Sequence, residues 1–293
     1  MHVGELGLAF ASVVDAESGR TRRGGVVVRD GIGPLPDDLV ATGSLVLIDD
    51  GPGRALDADL IVNPNVGETS DNYVPRSGGS VLAGAAYAIV RDDLHSLRDA
   101  ERPGRSVADR LLITCGAADP SGMTERYLGA VGPLVADGLR VRVALGSLNP
   151  RRQELERLAS ELGVVAVVGQ TSLREQFEWT DIALTTLGTT ATELAYLGIP
   201  NLAAACQPEQ RRHLEVYASA GLVVPLGWHA ELDSTAIRVA ATSLLGDRER
   251  REALAKSGRA TIDGLGATRI AEAVLALVAA KGRFGGACVE ATP

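Results

Sequence analysis

The sequence predicts an α/β protein built on parallel sheets, and three observations lead to that prediction. Strand-like and helix-like segments alternate along most of the chain, as in successive βαβ units. Of the 293 residues, 45% are hydrophobic but only 3% are aromatic, which is typical of Val- and Leu-rich strands covered by Ala- and Leu-rich helices. The connections in the first third are short and rich in Pro and Gly. This length is sufficient for two medium-sized domains.

The first domain is expected over residues 1–103, with its boundary in a charged stretch that contains Pro103 and Gly104. Its strands are predicted from buried apolar runs at 25–29, 44–50, 59–63 and 80–84. Helical character is confined to residues 4–18 and 35–42, which is thin cover for a sheet of this size.

The second domain is expected over residues 104–280, where regular alternation indicates a doubly wound sheet. Strands are predicted at 110–115, 139–145, 163–168, 181–185, 200–205 and 222–226. Helices are predicted at 122–137, 149–162, 172–178, 190–197, 208–220, 233–245, 248–257 and 268–280. Residues 281–293 show little periodicity and are expected to form a flexible tail. Ligands of such sheets bind at the carboxyl ends of the strands, where the candidate loops of this domain lie.

Composition and charge argue against several functional classes. The net charge is −8 with scattered Lys and Arg residues, so neither a polyanion groove nor a nucleic-acid partner is expected. Cys115, Cys206 and Cys288 are far apart, which argues against a disulfide framework or a metal site and favours the cytoplasm. The sequence has no signal-peptide pattern and no apolar run close to the about 20 residues of a membrane span.

Residues 184–200 carry the most informative pattern. An apolar strand runs into a turn of small residues, Gly188, Thr189 and Thr190, and a helix follows. Gly188 allows a ligand to approach the backbone closely, and the unpaired N–H groups at the helix start suit a diphosphate. Glu193, one turn later, can accept hydrogen bonds from a ribose diol. The pattern indicates a nucleotide-sugar site, and an ordinary βα turn with a capped helix is the alternative.

Two further loops follow predicted strands of this domain. Gly116 and Ala117 lie in a small-residue turn that can bring bare backbone close to a phosphate, although a plain turn is the favoured interpretation. In the other loop, Thr171 or Ser172 can cap the next helix. The alternative is a backbone edge, reaching Leu173, that hydrogen-bonds a uracil.

A polar stretch follows the fifth strand of the second domain and begins the next helix. Glu209 and Gln210 can bind sugar hydroxyls, and His213 points toward the same loop edge. Arg211 or Arg212 can pair with phosphate, although a solvated first turn is the favoured explanation for the arginines.

Asp49 and Asp50 are the notable residues of the first domain. They end a buried strand, where a pair of carboxylates is costly unless it is used or capped. Either they take part in the chemistry or they form structural Asx turns.

Together these motifs resemble those of the PseG-like proteins, which include a UDP-sugar hydrolase of pseudaminic acid synthesis and the predicted spore-coat polysaccharide glycosyltransferases. The likeness runs in order from roughly residue 26 to residue 280, through motifs at 49–50, 59–65, 84–91, 115–120, 187–200 and 263–269. It implies a GT-B architecture, in which two Rossmann-like domains face a cleft and the C-terminal one holds the nucleotide.

The resemblance also implies roles for residues. The ribose would be bound by Glu193, the diphosphate by residues 188–190 and 116–117, the base by residues 171–173 and the sugar by Gln210. The UDP-sugar is a substrate, and neither a cofactor nor a metal is expected.

The chain departs from the family pattern near its start and at two turns. The family opens with a strand and a Gly-x-Gly-His-x-x-Arg loop, of which His2 is the remnant here and the arginine is absent. A histidine so close to a terminus is poorly placed for acid–base catalysis. Gly188 stands where the family has two glycines, and Ala117 and Ala118 replace part of the other turn. The first domain is therefore expected to be shortened.

Three functions are compatible with these observations. A glycosyltransferase with a UDP-sugar donor and an unidentified acceptor is favoured, because the second domain retains the leaving-group site; Asp49 or Asp50 would assist the acceptor. The first alternative is a PseG-like UDP-sugar hydrolase, and the second is a catalytically silent UDP-sugar-binding partner protein. A homodimer is expected if a second chain completes the shortened domain.

Overall fold

The computed structural model of the chain describes residues 26–30, 44–51, 53–98, 107–170 and 172–280. Several expectations fall outside the described residues: His2, Thr171, the helical segments at 4–18 and 35–42, the boundary at Pro103, and the tail at 281–293. The chain separates into two compact units, of which the first comprises Met1–Ile89 with Gly264–Pro293 and the second comprises Val90–Asp263.

The first unit holds a parallel sheet of four strands in the order β1-β2-β3-β4. The strands are β1 Val26–Asp30, β2 Ser44–Ile48, β3 Leu60–Asn63 and β4 Ser80–Ala83. The two central strands are almost continuously apolar, because a parallel sheet is covered on both faces, and Val46, Ile61 and Val62 are fully buried. The four strands predicted from the sequence are confirmed.

The second unit contains a parallel sheet of six strands covered by helices. Its elements, in chain order, are α1 His95–Arg98, β5 Arg110–Thr114, α2 Met123–Ala136, β6 Arg140–Leu145, α3 Arg152–Glu161, β7 Val165–Val168, α4 Arg174–Trp179, β8 Ile182–Thr186, α5 Thr189–Leu197, β9 Asn201–Ala205, α6 Pro208–Ser219, β10 Val224–Trp228, α7 Ser234–Gly246 and α8 Arg248–Thr261. The strands and helices predicted between residues 110 and 257 are confirmed, with ends displaced by a few residues.

The strand order of this second sheet is β10-β9-β8-β5-β6-β7. The chain starts at β5 in the middle, adds β6 and β7 on one side, and then crosses to add the other three strands on the opposite side. Neighbouring strands pair in parallel, with Leu111 facing Ile182 across β5 and β8. Such a reversal is a topological switch point, where the diverging connections leave a crevice outside the carboxyl ends of the strands.

The last helix, α9 Gly266–Ala280, packs on the sheet of the first unit. Its side chains Ile270 and Val274 join a core that contains Val46, Ile48, Leu60, Val62 and Ile89. This helix covers part of the first sheet, for which the sequence of the first domain predicted few covering helices.

Residues 90–98 belong to the second unit. Arg98 donates hydrogen bonds to the carbonyl oxygens of Tyr196, Arg259 and Ile262 at 3.2, 2.7 and 2.7 Å, and its guanidinium lies 4.5 Å from the centroid of the Tyr196 ring. The compact units therefore differ from the predicted boundaries in two places, at residues 90–98 and at α9. Helical periodicity identifies an apolar face, but it carries no information on which sheet that face covers.

Substituting Ile270 by Ala should lower the free energy of unfolding of the first unit by about 2–4 kcal/mol, because it leaves a cavity between α9 and the sheet. Urea denaturation monitored by circular dichroism measures this loss. The matched control is Leu275→Ala on the same helix, where the side chain is 51% exposed and the change should be within about 0.5 kcal/mol. Equal losses in the two variants would contradict the packing of α9.

Candidate functional site

Two loops flank the switch point of the second sheet. Residues 115–122 connect β5 to α2, and Leu187 and Gly188 connect β8 to α5. The pairing of the preceding strands, in which Thr114 faces Thr185, brings the two loops to the same part of the carboxyl edge. The structure thus brings together the two segments that the sequence analysis assigned to a diphosphate.

The first of these loops exposes its backbone around Gly116 and Ala117. Gly116 has a φ of +79°, which suits glycine, and a Cβ there would meet no atom of the described chain within 4 Å. On its inner side the loop rests on Gly146, where a Cβ would lie 2.2 Å from the carbonyl oxygen of Ala117. Sequence reasoning missed Gly146, whose small size lets the loop pack closely on the neighbouring connection.

A side chain of the chain itself occupies the N-terminus of α2. The carboxylate of Asp119 accepts hydrogen bonds from the N–H groups of Met123 at 2.9 Å and Thr124 at 2.8 Å. Asp119 has a φ of 44° and is the one non-glycine residue of the described ranges with a positive φ, a conformation that Asp and Asn tolerate better than most residues. The carboxylate of Asp119 therefore already supplies the negative charge that the positive end of the α2 dipole attracts.

The N-terminus of α5 has a different arrangement. Gly188 is the N-cap in an extended conformation, and it has no side chain with which to cap this helix. Gly188 and Thr189 are exposed and Thr190 is half-buried, and a Cβ on Gly188 would have no described atom within 4 Å. The first turn carries no acidic residue. Backbone N–H donors and the positive end of the helix dipole therefore remain accessible to an anion.

Glu193 lies inside the unit, with a side chain that is 3% exposed. Its two carboxylate oxygens accept hydrogen bonds from Arg91, from Nε at 2.8 Å and from Nη2 at 3.1 Å. Burial raises the pKa of Glu193, and the hydrogen bonds and charge of Arg91 oppose that rise. The carboxylate that the sequence analysis assigned to a ribose is therefore held in a bidentate ion pair, and Arg91, which is 30% exposed, is its more accessible member.

Sequence reasoning gave Arg91 no role. It is separated from Glu193 by 102 positions, and its only signal in the sequence is its place at the end of the motif at residues 84–91. A neighbouring residue of the same segment also contacts the body of the second unit, because Arg174 donates to the carbonyl oxygen of Asp93 at 2.6 Å.

Ser172 takes part in capping α4. Its Oγ accepts a hydrogen bond from the N–H of Arg174 at 3.1 Å and donates one to the carboxylate of Asp93. Leu173 is the half-buried N-cap residue of the same helix. The capping interpretation of Ser172 is thus observed, and the binding of a base along this backbone stays a prediction.

A capping box holds the start of α6. Oε1 of Gln210 accepts hydrogen bonds from the N–H groups of Cys206 at 2.8 Å and Gln207 at 3.1 Å. Glu209 is half-buried in the same turn, whereas His213, one turn later, is 5% exposed. The predicted contacts of Glu209, Gln210 and His213 with a sugar stay predictions, and the interior position of His213 leaves it little surface for one.

The two acidic candidates of the first unit lie at the carboxyl end of β2 in different environments. Asp49 is buried and accepts hydrogen bonds from Nη2 of Arg54 at 2.6 Å and from the hydroxyl of Tyr73 at 3.2 Å. Asp50 is exposed and accepts one from Nδ2 of Asn65 at 3.2 Å. The pairing of Asp49 offsets the cost of burying its charge, and Asp50 is the carboxylate that a ligand can reach.

Three further properties concern the described residues as a whole. They contain no group of three or more His, Cys, Asp or Glu side chains that could hold a metal ion. Within the same ranges no helix is long and apolar enough to cross a bilayer. Cys115 and Cys206 are free thiols.

Comparison with known sequences identifies a distant homologue. No family model matches the chain. The spore coat polysaccharide biosynthesis protein SpsG of Bacillus subtilis (strain 168) is 20% identical over 230 residues, which cover 77% of this chain and 67% of that protein. The resemblance to the spore-coat polysaccharide group predicted from the motifs is confirmed by this homologue.

Solved structures share the fold. MurG from Acinetobacter baumannii aligns with a TM-score of 0.57 and 13% identity over 86% of this chain and 73% of that one. MnaA from S. aureus, in a co-structure with UDP, aligns with a TM-score of 0.56 and 14% identity over 87% of this chain and 76% of that one. WaaG, a glycosyltransferase involved in lipopolysaccharide biosynthesis, aligns with a TM-score of 0.51 and 14% identity over 85% of this chain and 80% of that one. The predicted α/β fold of the GT-B type is confirmed.

Replacing Arg91 by Met should lower the free energy of unfolding by about 1–3 kcal/mol near neutral pH, because it leaves the buried carboxylate of Glu193 without its counter-charge. The folded pKa of Glu193 is raised, so ionisation of this group reduces stability as the pH rises above its unfolded value, and Arg91 limits that reduction. The loss in Arg91→Met should therefore be larger at about pH 7.5 than at about pH 5.

Urea denaturation at the two pH values measures this difference. The double variant Arg91→Met/Glu193→Gln should lose the extra pH dependence, since no buried carboxylate remains to ionise. Arg157→Met, which breaks an exposed ion pair with Glu161, serves as the control and should show little change at either pH. A loss in Arg91→Met that is independent of pH would refute the pairing.

Proposed function

We propose that this chain is a glycosyltransferase that uses a UDP-sugar donor. The observation that carries the proposal is the contrast between two helix N-termini at the switch point. Asp119 accepts from the first N–H groups of α2, whereas α5 begins at Gly188, which is exposed and has no side chain to cap it. A diphosphate at the start of α5 would receive backbone N–H donors and the positive end of the helix dipole. The exposed backbone at Gly116 would let it approach from the side of β5.

This arrangement suits the chemistry of glycosyl transfer. Negative charge develops on the diphosphate as its bond to the sugar breaks, and N–H donors that are already oriented stabilise that charge without reorganisation. The hydroxyls of Thr189 and Thr190 stand in the same turn and can add further hydrogen bonds. Stabilisation of this kind grows toward the transition state and so accelerates the reaction.

The ribose is assigned to the Arg91–Glu193 pair rather than to the carboxylate alone. Arg91 already engages both oxygens of Glu193, and Arg91 is the more exposed of the two side chains. In this assignment Glu193 fixes the orientation of the guanidinium and Arg91 contacts the ligand. The base would lie along residues 172–173, and the sugar would lie near Glu209 and Gln210.

The uridine nucleotide and the acceptor are assigned on separate grounds. The MnaA structure contains UDP, which supports a uridine carrier for a chain of the same fold. Asp50 is proposed to assist the acceptor hydroxyl, because it is exposed at a strand end, while the ion pair of Asp49 with Arg54 gives that residue a structural role.

Substituting Gly188 by Val should abolish tight UDP binding without unfolding the protein. The site has an extended backbone, and no described atom lies within 4 Å of the added Cβ, so stability should change by less than about 0.5 kcal/mol. The side chain would occupy the space of the diphosphate and weaken UDP binding by at least about tenfold, measured by isothermal titration calorimetry. Gly246→Val, at another position with open space, should bind UDP normally; unchanged affinity in Gly188→Val would refute the site.

The reaction type is tested by incubating the protein with UDP-sugars and measuring UDP release. Transfer predicts release that depends on an added acceptor, because the chain provides a leaving-group site and only a modest base. Stoichiometric release without an acceptor would replace the proposal with hydrolysis. Tight UDP binding with no release under any acceptor would indicate a silent binding protein.

A further inference from the structure

The edge strand β10 ends in an irregularity that the proposed function does not use. Its register with β9 shifts between Pro225 and Gly227, and Gly227 has a φ of +109°, which glycine adopts readily. Such bulges redirect the residues that follow and are frequent beside functional sites. Here the redirected residues are Trp228 and His229, which contact two neighbouring helices.

Two arginines contact this strand end. The guanidinium of Arg211, on α6, lies 4.3 Å from the centroid of the Trp228 ring, and it pairs with Glu231 at 3.3 Å. Arg126, on α2, donates a hydrogen bond to the carbonyl oxygen of His229. Both arginines stand in the first turns of their helices, so they lie at the carboxyl edge of the sheet, on the side of the candidate diphosphate loops.

The strand order fixes where this cluster stands relative to the proposed donor. Along the edge, the proposed base site follows β7, the diphosphate loops follow β5 and β8, and the proposed sugar loop follows β9. The end of β10 is the next position on the sugar side. Burial and the charge of Asp119 raise the pKa of the Cys206 thiol, and a hydrogen bond with Ser121 and the charge of Arg126 oppose that rise, which agrees with a position of Arg126 beside the sugar loop.

The cluster is positively charged, and its own contacts neutralise it only in part. The ion pair between Arg211 and Glu231 leaves 55% and 74% of the two side chains exposed, so it is weak. Arg126 donates to a neutral carbonyl. Nδ1 of His229 is buried and has no hydrogen-bond partner among the described residues, so the open positive charge of this cluster is that of the two arginines.

We propose that Arg126 and Arg211 form a subsite for an anionic group on the donor sugar, such as the carboxylate of a uronic acid. Guanidinium groups bind carboxylates through short charge-assisted hydrogen bonds. The net charge of the chain is −8, so this local concentration of positive charge serves selection between sugars rather than general attraction of anions. The inference rests on the proposed function and names the class of sugar that the same site takes.

Calorimetric affinities for UDP, UDP-glucose and UDP-glucuronate test the proposal. The two sugars differ at one position, where glucose carries a hydroxymethyl group and glucuronate carries a carboxylate. The wild-type chain should bind UDP-glucuronate about tenfold more tightly than UDP-glucose. Arg126→Gln should reduce that preference to about twofold or less and leave the affinity for UDP unchanged. Arg126→Lys, which keeps the charge but not the fork of donors, should retain part of the preference.

The matched control is Arg250→Gln, which removes the same charge from an exposed residue of α8 and should keep the full preference. Circular dichroism and the thermal midpoint verify that Arg126→Gln is folded, and Arg211→Gln provides a second variant if it is not. Equal affinity of the wild type for the two sugars, or a preference that survives both substitutions, would overturn the inference. Failure of UDP itself to bind would refute the proposed function, and it is distinguishable because all three ligands then fail.

Discussion

The candidate site depends on one constraint, the reversal of strand order between β5 and β8 in the second sheet. Because the two strands are parallel neighbours, the connections that follow them leave the same edge, and the helices α2 and α5 both begin there. Two positive helix ends thus lie at one crevice. The chain satisfies one of them with the carboxylate of Asp119 and leaves the other open at Gly188. That difference, rather than the presence of a βα turn, distinguishes this edge from an ordinary one.

The ion pair of Arg91 with Glu193 helps to hold α5 in place. A carboxylate with 3% of its surface exposed is unfavourable alone, and removing one partner of such a pair leaves an uncompensated charge. The pair joins α5 to the segment that contains α1, and that segment is fixed again where Arg98 donates to carbonyl oxygens near the ends of α5 and α8. Polar contacts at the middle and at the C-terminal end of α5 therefore hold the helix in place. This matters for a site made of backbone donors, since such donors act only when they are already oriented.

The sequence predicted the fold well, but it indicated only part of the geometry at the candidate site. Alternating apolar segments in residues 110–257 were sufficient for the strands and α-helices described there, because period and turn chemistry are local properties. The segment around Gly188 was also recognisable locally. The pairing of Arg91 with Glu193 was not, since it joins residues 102 positions apart, and an acidic residue near a helix start has the same pattern whether it faces a ligand or an arginine. The assignment of α9 to the first unit was missed for the related reason that an amphipathic helix does not specify its sheet.

The carboxyl edges of the two sheets differ in how completely their polar groups are satisfied. At the end of β2, the buried hydroxyl of Tyr73 accepts from Asn63 and shares its one proton between Asp49 and the carbonyl oxygen of Gly51, so this network is closed and rigid. The edge of the second sheet instead combines a positive φ at Asp119, an open helix end at Gly188 and a bulge at Gly227. Departures from local rules persist where they serve a ligand or a neighbouring contact. Their concentration at one edge makes that edge the candidate ligand site of the second unit.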